Sequence, residues 1–350
     1  MALHILGDPH FSALQPWRLP LGDAFLSWFE TYEASPNDDL LCLGDYTDDA
    51  VNPGKVVKQV KQFADIAKSK FNQVYFMVGN HDLKLYKNKP QLSFEFVERE
   101  GVIILKDPAQ VLDIQGLHIL SLPHYNYRTD LPPMWDYYGN LPQEIRDDSF
   151  DLVCGHFSDN SVQLFDHTID ISYLHAKHIA LGHQHIRISS HYTGSLFPCK
   201  ISENDSPKPR AVWVYEKTGH LVTKKEVVMP RFGEYRAVEY PKPLPKVNAN
   251  VTIYTILGCE TEKIARDFYG DIYIRGVASN FVKKNNNIVV SDDAFVIGDP
   301  IEIFTEWTKV AKTPVSRSVA GLVKKILAPQ IPVAALPAPL EKETIAANTN

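Results

Sequence analysis

Residues 40–48 read Leu-Leu-Cys-Leu-Gly-Asp-Tyr-Thr-Asp, a short apolar run that ends in glycine and is followed at once by a carboxylate. Apolar runs of this length, bounded by glycine, are typical of strands that are buried on both faces of a sheet. The glycine permits a sharp turn that brings the next side chain back over the strand end. This stretch therefore predicts a buried strand that presents Asp45 at its carboxyl end.

The same pattern recurs in four other places within the first 183 residues. Each run ends in glycine, and a side chain that can bind a metal ion follows it. The runs and their polar residues are 3–6 with Asp8, 74–78 with Asn80, 152–154 with His156, and 179–181 with His183. Residues 25–32 and 56–67 carry apolar side chains at helical spacing between the early strands. Alternating strands and helices imply an α/β sheet, whose ligands bind beyond the carboxyl ends of the strands.

From about residue 112 the pattern becomes rich in strands. Two pairs of apolar runs predict hairpins, residues 112–114 with 117–122 and residues 211–215 with 221–228. A domain boundary is predicted near residues 229–235. Beyond it, the pattern predicts a strand at 251–257, a helix at 260–269, a strand at 271–277, and helices at 301–312 and 315–327. The Pro- and Ala-rich residues after 329 have no periodicity that could bury a core, which predicts a disordered tail.

Composition places few limits on the function. The 350 residues are 44% hydrophobic and 22% charged, which is ordinary for a globular protein with one large domain or two. No apolar run approaches the ~18 residues of a membrane span. The first motif begins at Gly7, so we expect no cleavable signal segment. The four cysteines are scattered, and Cys42 and Cys154 lie in apolar runs, which favours a reducing, cytoplasmic setting (the host cytoplasm if the protein is phage-encoded).

The net charge of −6 argues against a protein that holds nucleic acid by bulk charge alone. It does not argue against an enzyme that acts on nucleic acid, because bound divalent cations are often the largest charges at a site. Several of the acidic residues would then be metal ligands.

Five short motifs carry the candidate chemistry. They are Asp8-Pro9-His10, Gly44-Asp45-Tyr46-Thr47-Asp48, Gly79-Asn80-His81-Asp82, Gly155-His156 and Gly182-His183-Gln184-His185. Each motif alone is weak, since a Gly-Asp pair is usually a turn and Asn-His-Asp could cap a helix. Together they are specific, because core histidines have no reason to recur just after a glycine at strand ends.

The motif series GDxH, GDxxD, GNHD, GH and GHxH resembles that of the calcineurin-like metallophosphoesterases. The resemblance implies an α/β fold, the four-layer αββα sandwich, with a small α/β capping domain and C-terminal helices. More narrowly, the chain resembles the SbcD-type and meiotic recombination nucleases, and most of all the phage recombination endonuclease subunit. The narrower likeness rests on Tyr192-Thr193-Gly194-Ser195, an acidic loop with Glu203 and Asp205, Arg210 before a strand, and Pro230-Arg231-Phe232.

The resemblance implies two divalent metal ions and assigns their ligands by position. The first ion would be bound by Asp8, His10, Asp45 and His185, and the second by Asp45, Asn80, His156 and His183. Asp45 would bridge the two ions. Mixed imidazole, carboxylate and amide ligands suit manganese, iron or zinc better than magnesium or calcium, and manganese is the expected metal.

The resemblance also assigns the residues around the ligands. His81 would stabilise the transition state or protonate the leaving oxygen, and Asp82 would orient it. Asp48 stands where the repair nucleases usually carry histidine, and it is expected to support His10 or His81. Ser195 and Arg210 could contact a phosphate or could only tie down their loop, and His124 could line the cleft although a structural role is favoured.

The leading functional hypothesis is a manganese-dependent DNA nuclease, with exonuclease and endonuclease activity, in an SbcCD-like repair or recombination complex. Its partners would be DNA and an SbcC-type coiled-coil ATPase, with a homodimer left open and no membrane. Two alternatives are a small-molecule phosphodiesterase or nucleotidase, and a non-catalytic scaffold. Lys283 and Lys284 would help to guide DNA. The predicted parts are a nuclease domain (1–232), a capping domain (233–300), a helical partner-binding segment (301–328) and a tail (329–350).

Overall fold

Four β-sheets, two of them large, and five α-helices make up the described part of the chain. A computed structural model describes residues 1–48, 54–86, 89–125, 131–162, 168–199, 203–204 and 208–278. The predictions for Asp205, Lys283, Lys284, the helical segment 301–328 and the tail 329–350 therefore lie outside the described residues. Two smaller sheets accompany the two main ones.

The regular elements follow one another in chain order as strands interrupted by helices. The strands are β1 (Ala2–Leu6), β2 (Asp39–Cys42), β3 (Val74–Met77), β4 (Leu83–Tyr86), β5 (Lys89–Leu92), β6 (Val102–Leu105), β7 (Gln110–Ile114), β8 (Leu117–Leu122), β9 (Ser149–Gly155), β10 (His175–Leu181), β11 (Ala211–Thr218), β12 (Leu221–Val228), β13 (Gly233–Glu239), β14 (Val251–Leu257) and β15 (Tyr273–Ala278). The helices are α1 (Arg18–Thr31), α2 (Gly54–Lys70), α3 (Met134–Gly139), α4 (Gln143–Arg146) and α5 (Glu262–Tyr269).

The two main sheets bring their strand ends together. The six-stranded sheet has the order β12-β11-β1-β2-β3-β6, in which β1, β2, β3 and β6 are parallel and β11 runs antiparallel to β1. The four-stranded sheet has the order β10-β9-β8-β7, with β8, β9 and β10 parallel. The carboxyl ends of β1, β2 and β3 consequently lie along one edge of the first sheet, and those of β9 and β10 along one edge of the second.

Side chains from the two faces of each main sheet enter different cores. In β1, Ala2 and Leu6 pack toward α1 and α2, while Leu3 and Ile5 pack between the two sheets, as the two-residue repeat of a strand requires. In β8, Ile119 joins the core between the sheets. Burying each large apolar side chain contributes about 1.5–3 kcal/mol, so the inner faces hold the sheets together.

Helices cover the outer face of each main sheet. Phe63 of α2 stacks on Phe76 of β3, and Phe25 of α1 meets Phe63 edge-on, with both pairs of ring centroids 5.6 Å apart. On the other side, Tyr138 of α3 packs with Phe150 of β9. The layers are therefore helix, sheet, sheet, helix. The predicted α/β fold and its four-layer αββα arrangement are confirmed.

The local predictions hold in most places. The helical spacing at 25–32 and 56–67 falls within α1 and α2, and both predicted hairpins form, as β7–β8 and β11–β12. The helix considered after Asp82 does not form, because Leu83 begins β4. Strand β13 was not predicted from the sequence, since its residues, GEYRAVE, contain no apolar run.

A small parallel sheet, β13-β14-β15, with α5 follows the main sheets. It contains the predicted strand, helix and strand and has a core of its own around Ile256 and Ile274. Phe232, just before β13, packs against Phe25 and Trp28, with ring centroids 5.8 and 5.6 Å apart. Met1–Ile288 forms one compact unit, which contains both the main sheets and the small sheet. The predicted domain boundary between residues 232 and 233 therefore stays a prediction.

The predictions about the cysteines and about membrane spans can be compared with the described residues. Cys42 and Cys154 are buried strand residues, as expected, and all four cysteines are free thiols. No helix in the described ranges has the length and apolarity needed to cross a membrane.

Candidate metal centre

The predicted ligand side chains converge where strand ends of the two main sheets meet. The loops after β1, β2 and β3 supply Asp8 and His10, Asp45, and Asn80, while the loops after β9 and β10 supply His156, His183 and His185. Hydrogen bonds join these loops directly. The backbone N–H of His10 donates to the Asp45 carbonyl oxygen (2.8 Å), and that of His183 donates to Asp8 Oδ2 (2.8 Å). The two sheets therefore share one site.

Three of these residues have left-handed backbone conformations that side chains rarely adopt. The φ angles are 48° at His10, 53° at Asp45 and 76° at His183. Such a conformation costs on the order of 1–3 kcal/mol per residue and persists only where the surroundings enforce it. Strain of this kind clusters at functional sites, and here it falls on predicted ligands.

Two glycines leave the space that the neighbouring ligands need. A Cβ atom on Gly79 would lie 2.3 Å from the backbone nitrogen of Asp45, and one on Gly182 would lie 2.6 Å from Asp8 Oδ1. Real Cβ atoms do not approach so closely. The glycines that precede the polar residues of these motifs therefore also let the loops of different strands pack together.

The first set of predicted ligands forms a tight group. One ligand atom each of Asp8, His10, Asp45 and His185 lies within 4.8 Å of all the others. Two buried atoms in this group, Asp8 Oδ1 and His10 Nε2, have no hydrogen-bond partner in the described part of the chain. A buried polar atom without a partner costs about 1–3 kcal/mol. A cation between these atoms would remove that cost, so the residues fit a metal ion.

Asp45 links the first group to the second. Its Oδ2 lies 3.7 Å from His10 Nε2 and 3.1 Å from His156 Nε2, and it groups again with His156 and His183 within 4.8 Å. Asn80 Oδ1 lies 3.0 Å from His156 Nε2 and 2.8 Å from His183 Nδ1. One carboxylate thus faces both candidate positions, which is the geometry of a bridging ligand.

Partners outside the ligand set hold Nδ1 of three imidazole rings. The Nδ1–H of His156 donates to the Leu43 carbonyl oxygen (2.6 Å), and Nδ1 of His185 bonds to Glu203 Oε1 (2.9 Å). Nδ1 of His10 bonds to Asp48 Oδ1. Partners of this kind fix the ring orientation and the tautomer of a metal-binding histidine. In all three rings Nε2 is then the nitrogen available to a metal ion.

Asp48 connects His10 to a buried arginine. Its second carboxylate oxygen accepts a hydrogen bond from Nη2 of Arg18. Burial alone would raise the pKa of Asp48, but His10 and Arg18 outweigh burial and hold the pKa well below its usual range. Both predicted partners lie beside Asp48, because its carboxylate bonds to the ring of His10 while His81 contacts its backbone and groups with it within 4.8 Å. Arg18 was not predicted, because it sits at the start of α1, away from every motif.

The Asp45 and Asp8 carboxylates favour the protonated form of His156. Burial lowers the pKa of His156, but the Asp45 and Asp8 carboxylates outweigh burial and raise it to about 9. Ligand imidazoles must be neutral, so metal binding displaces protons and strengthens as the pH rises.

Asp82 has a different contact from the predicted one. Its carboxylate is fully buried and accepts hydrogen bonds from three backbone N–H groups, those of Asp45 (2.7 Å), Tyr46 (2.8 Å) and Gly79 (2.9 Å). These bonds fix the strained turn that carries Asp45. The sequence assigned Asp82 to the ring of His81, and the structure instead places it on the backbone beneath the ligands.

His81 itself lies beside the first group. Its ring centroid is 5.3 Å from that of His10, and its backbone N–H donates to Asp45 Oδ1 (2.8 Å). Burial lowers the pKa of His81 and outweighs the attraction of Asp45. A partly exposed, neutral imidazole next to the candidate ions is placed to meet a substrate.

Ser195 and Arg210 tie down the loop after the last motif. Ser195 is fully buried, and its hydroxyl donates to the Phe197 carbonyl oxygen (2.7 Å). Nε of Arg210 donates to the Ser195 carbonyl oxygen (2.9 Å) and Nη2 to that of Glu203 (3.3 Å). The phosphate contact considered for Ser195 does not fit, because burial removes its hydroxyl from any substrate.

Sequence reasoning missed the roles of two further residues. Glu203 holds His185, as described above, and also accepts the backbone N–H of Cys199 through Oε2 (2.6 Å). The Cys199 sulfur lies within 4.8 Å of a nitrogen of His10 and of His185. The acidic loop was noted only as a likeness, and a cysteine four residues before it carries no recognisable motif. His124 is buried close to the second group, where burial and His156 lower its pKa to about 4.

A comparison with known protein families gives a match over the first part of the chain. The sequence profile of the calcineurin-like phosphoesterase family matches residues 1–187, more than half of the chain and all seven predicted metal ligands. No curated protein matches the sequence.

Proposed function

The chain belongs to the calcineurin-like phosphoesterase family, and from that premise we propose that it is a two-metal-dependent nuclease that hydrolyses phosphodiester bonds in DNA. The family implies metal-dependent hydrolysis of phosphoesters. The choice of DNA as the substrate and the part that this enzyme plays in an SbcCD-like complex are the proposal.

The position of Asp45 is the observation that carries the proposal. Its Oδ2 faces nitrogens of both candidate ligand groups, while Asp8 Oδ1 and His10 Nε2 are buried without a hydrogen-bond partner among the described residues. Two bound divalent ions would supply an activated water and would stabilise the charged oxygens of a phosphodiester displacement. Asp8, His10, Asp45 and His185 would hold one ion, and Asp45, Asn80, His156 and His183 the other.

The protein residues around the ligands position the site and handle protons. Asp82 fixes the turn of Asp45, while Asp48 and Glu203 fix the rings of His10 and His185. His81 is not one of the assigned ligands, and its side chain is partly exposed. We assign it the contact with the transferring phosphate or with the leaving oxygen.

DNA is favoured as the substrate by the residues that follow the family match. Glu203, Arg210 and Phe232 carry the likeness to the repair nucleases, and each makes a defined contact. Glu203 supports a candidate ligand, Arg210 fixes the Glu203 loop, and Phe232 anchors the start of the small sheet in the main core. Two arginines lie on that sheet, Arg236 paired with Glu234 and Arg275 with its guanidinium over the Tyr235 ring.

The proposal predicts which substrates the enzyme cleaves. With Mn²⁺ present, it should digest end-labelled duplex DNA, and it should also hydrolyse bis-p-nitrophenyl phosphate at a much lower kcat/KM. The difference is expected because binding energy from the remote parts of a duplex is available only with DNA. Both substrates and a cyclic nucleotide should be assayed side by side, with a chelator as the control.

Two outcomes would contradict the assignment of DNA. A cyclic nucleotide hydrolysed with a higher kcat/KM than DNA would favour the small-molecule phosphodiesterase. No hydrolysis of any diester by protein that binds two ions would favour the non-catalytic scaffold.

We further propose that an SbcC-type ATPase docks on the helical segment 301–328. Val315, Val319 and Leu322 recur there at helical spacing, as in helices that bind an apolar groove. Deleting residues 300–350 should preserve Mn²⁺-dependent cleavage and abolish the stimulation by the ATPase and ATP. Stimulation that persists in the truncated protein would place the partner elsewhere, and loss of the circular dichroism spectrum would place the segment in the core.

A further inference from the structure

A cavity of about 410 Å³ lies at the edge strands β10 and β12 of the two main sheets. Its volume is typical of sites for small molecules. No carboxylate belongs to the described lining, and none of the predicted metal ligands does. The side chains in the lining that can donate hydrogen bonds are Lys177, His178, Ser190, His191, Tyr215 and Lys224. This cavity is therefore separate from the metal centre and rich in donors.

The hydroxyl of Tyr215 points to a ligand in the cavity. Tyr215 is fully buried, and its hydroxyl has no hydrogen-bond partner among the described residues, although buried polar atoms nearly always have one. The ring meets that of His178 edge-on, with centroids 5.4 Å apart. Lys224 is its direct cross-strand neighbour on β12. An acceptor held in the cavity would complete the hydrogen bonding of the hydroxyl.

We propose that this cavity binds the phosphate group of a small organic phosphate, about the size of a nucleotide. Ammonium, imidazole and hydroxyl donors converge there, and hydrogen bonds from charged donors to phosphate are roughly twice as strong as neutral ones. The apolar side chains of Ala176 and Ile179, also in the lining, suit the organic part. The inference goes beyond the proposed nuclease function and does not depend on it.

Lys177 is held in place by a carboxylate outside the lining. Its Nζ donates to Asp151 Oδ1 (2.8 Å) and to the His220 carbonyl oxygen (2.9 Å), which uses two of the three donors of the ammonium. Asp151 Oδ2 accepts from Nζ of Lys217 (2.5 Å). Two lysines therefore share one carboxylate, which leaves an excess of positive charge.

Lys224 is held in a similar way. Its Nζ lies 3.1 Å from the centroid of the Trp213 ring and 3.5 Å from Glu226 Oε1. The same oxygen accepts from Nη2 of Arg187 (2.6 Å), so two cations again face one carboxylate. Side chains that are already ordered lose less freedom when a ligand binds.

His191 is oriented by a third carboxylate. Its Nδ1 bonds to Asp159 Oδ2 (2.5 Å), and Asp159 Oδ1 accepts from the Tyr192 hydroxyl (2.9 Å). These contacts fix the imidazole ring in the lining. With Asp159 included, the groups just described are four cations and three carboxylates, whereas the whole chain has a net charge of −6. The local excess of positive charge favours an anion.

Calorimetric titration of the metal-free, full-length protein would test the proposal, because removal of metal ions keeps phosphate from the metal centre. Deoxyadenosine 5′-monophosphate should bind at one site per chain and raise the melting temperature as its concentration rises. Deoxyadenosine, which lacks the phosphate, should bind about tenfold more weakly or less. A short DNA duplex is the third probe.

Two variants would locate the site. Lys224→Gln should weaken binding of the monophosphate about tenfold, and Tyr215→Phe roughly three- to tenfold. Tyr215→Phe should not lower the melting temperature of the free protein, since the hydroxyl has no partner among the described residues. Lys225→Gln is the matched control, because Lys225 pairs with Val214 on the opposite face of β12. Manganese-dependent hydrolysis of bis-p-nitrophenyl phosphate should be unchanged in all three.

Four results would overturn the proposal. The wild type could fail to bind the monophosphate, or could bind deoxyadenosine equally well. Affinity that is unchanged in both Lys224→Gln and Tyr215→Phe would place the ligand elsewhere. Binding of the duplex without binding of the monophosphate would assign the cavity to the backbone of a nucleic acid. Each result leaves the metal centre standing, because hydrolysis is measured separately.

Discussion

Replacing Asp45 by asparagine is expected to abolish phosphodiester hydrolysis and to reduce bound metal from two ions to at most one, while the fold survives. Asp45 Oδ2 faces nitrogens of both candidate groups, so the neutral amide weakens both positions at once. Asparagine tolerates the left-handed backbone at this position, where φ is 53°. Its oxygen can still accept the His81 N–H that Asp45 Oδ1 now accepts.

Elemental analysis and activity on a chromogenic diester would measure the effect, with circular dichroism to follow the fold. Asp39→Asn is the matched control, because Asp39 lies at the opposite end of the same strand and bonds to the backbone of Gln73 (2.8 Å). The control should retain two ions and its activity. An Asp45→Asn protein with two ions and unchanged turnover would show that Asp45 does not bridge.

Replacing His81 by alanine should leave both ions bound and reduce turnover of DNA by roughly 10²–10⁴-fold, the usual contribution of a positioned acid or base. The alanine variant keeps the backbone N–H that bonds to Asp45 Oδ1. The turn that carries Asp45 should therefore remain, and only the ring is lost.

A comparison of leaving groups would separate the two roles considered for His81. p-Nitrophenolate leaves without protonation, whereas the oxygen released from DNA requires a proton. A larger loss on DNA than on bis-p-nitrophenyl phosphate indicates a general acid, and equal losses indicate stabilisation of the transition state. His175→Ala, a change at an exposed histidine of β10, should have no effect. Loss of an ion from His81→Ala would make His81 a ligand and refute the assignment.

The sequence predicted the fold and the set of converging residues because both follow from one repeated local pattern. An apolar run followed by glycine and a polar residue predicts a buried strand. It also predicts the strand's direction and the sheet edge at which the polar side chain lies. Asp45 and His156 could be placed on that basis before any contact was known. Parallel pairing of their strands within each sheet then brings such residues to a common edge.

The support around the ligands could not be predicted in the same way. Asp82 binds three backbone N–H groups rather than the ring of His81, and no spacing in the sequence reports a bond to the backbone. Arg18 reaches Asp48 from a helix that carries no motif. Strand β13 was missed because polar residues interrupt its sequence, and one of them, Glu234, is buried by contacts that form only in three dimensions.

The contribution of both sheets to one site also determines when that site can exist. Asp8 follows the first strand and His185 the tenth, so the centre requires nearly the whole double-sheet core to be paired and in register. Contacts between residues so distant in sequence are among the slowest to form during folding. A growing chain therefore has no complete centre until the four-stranded sheet has closed over the six-stranded one. Copies in which β9 and β10 have not yet paired would therefore lack His156, His183 and His185 at the site and should carry no hydrolytic activity.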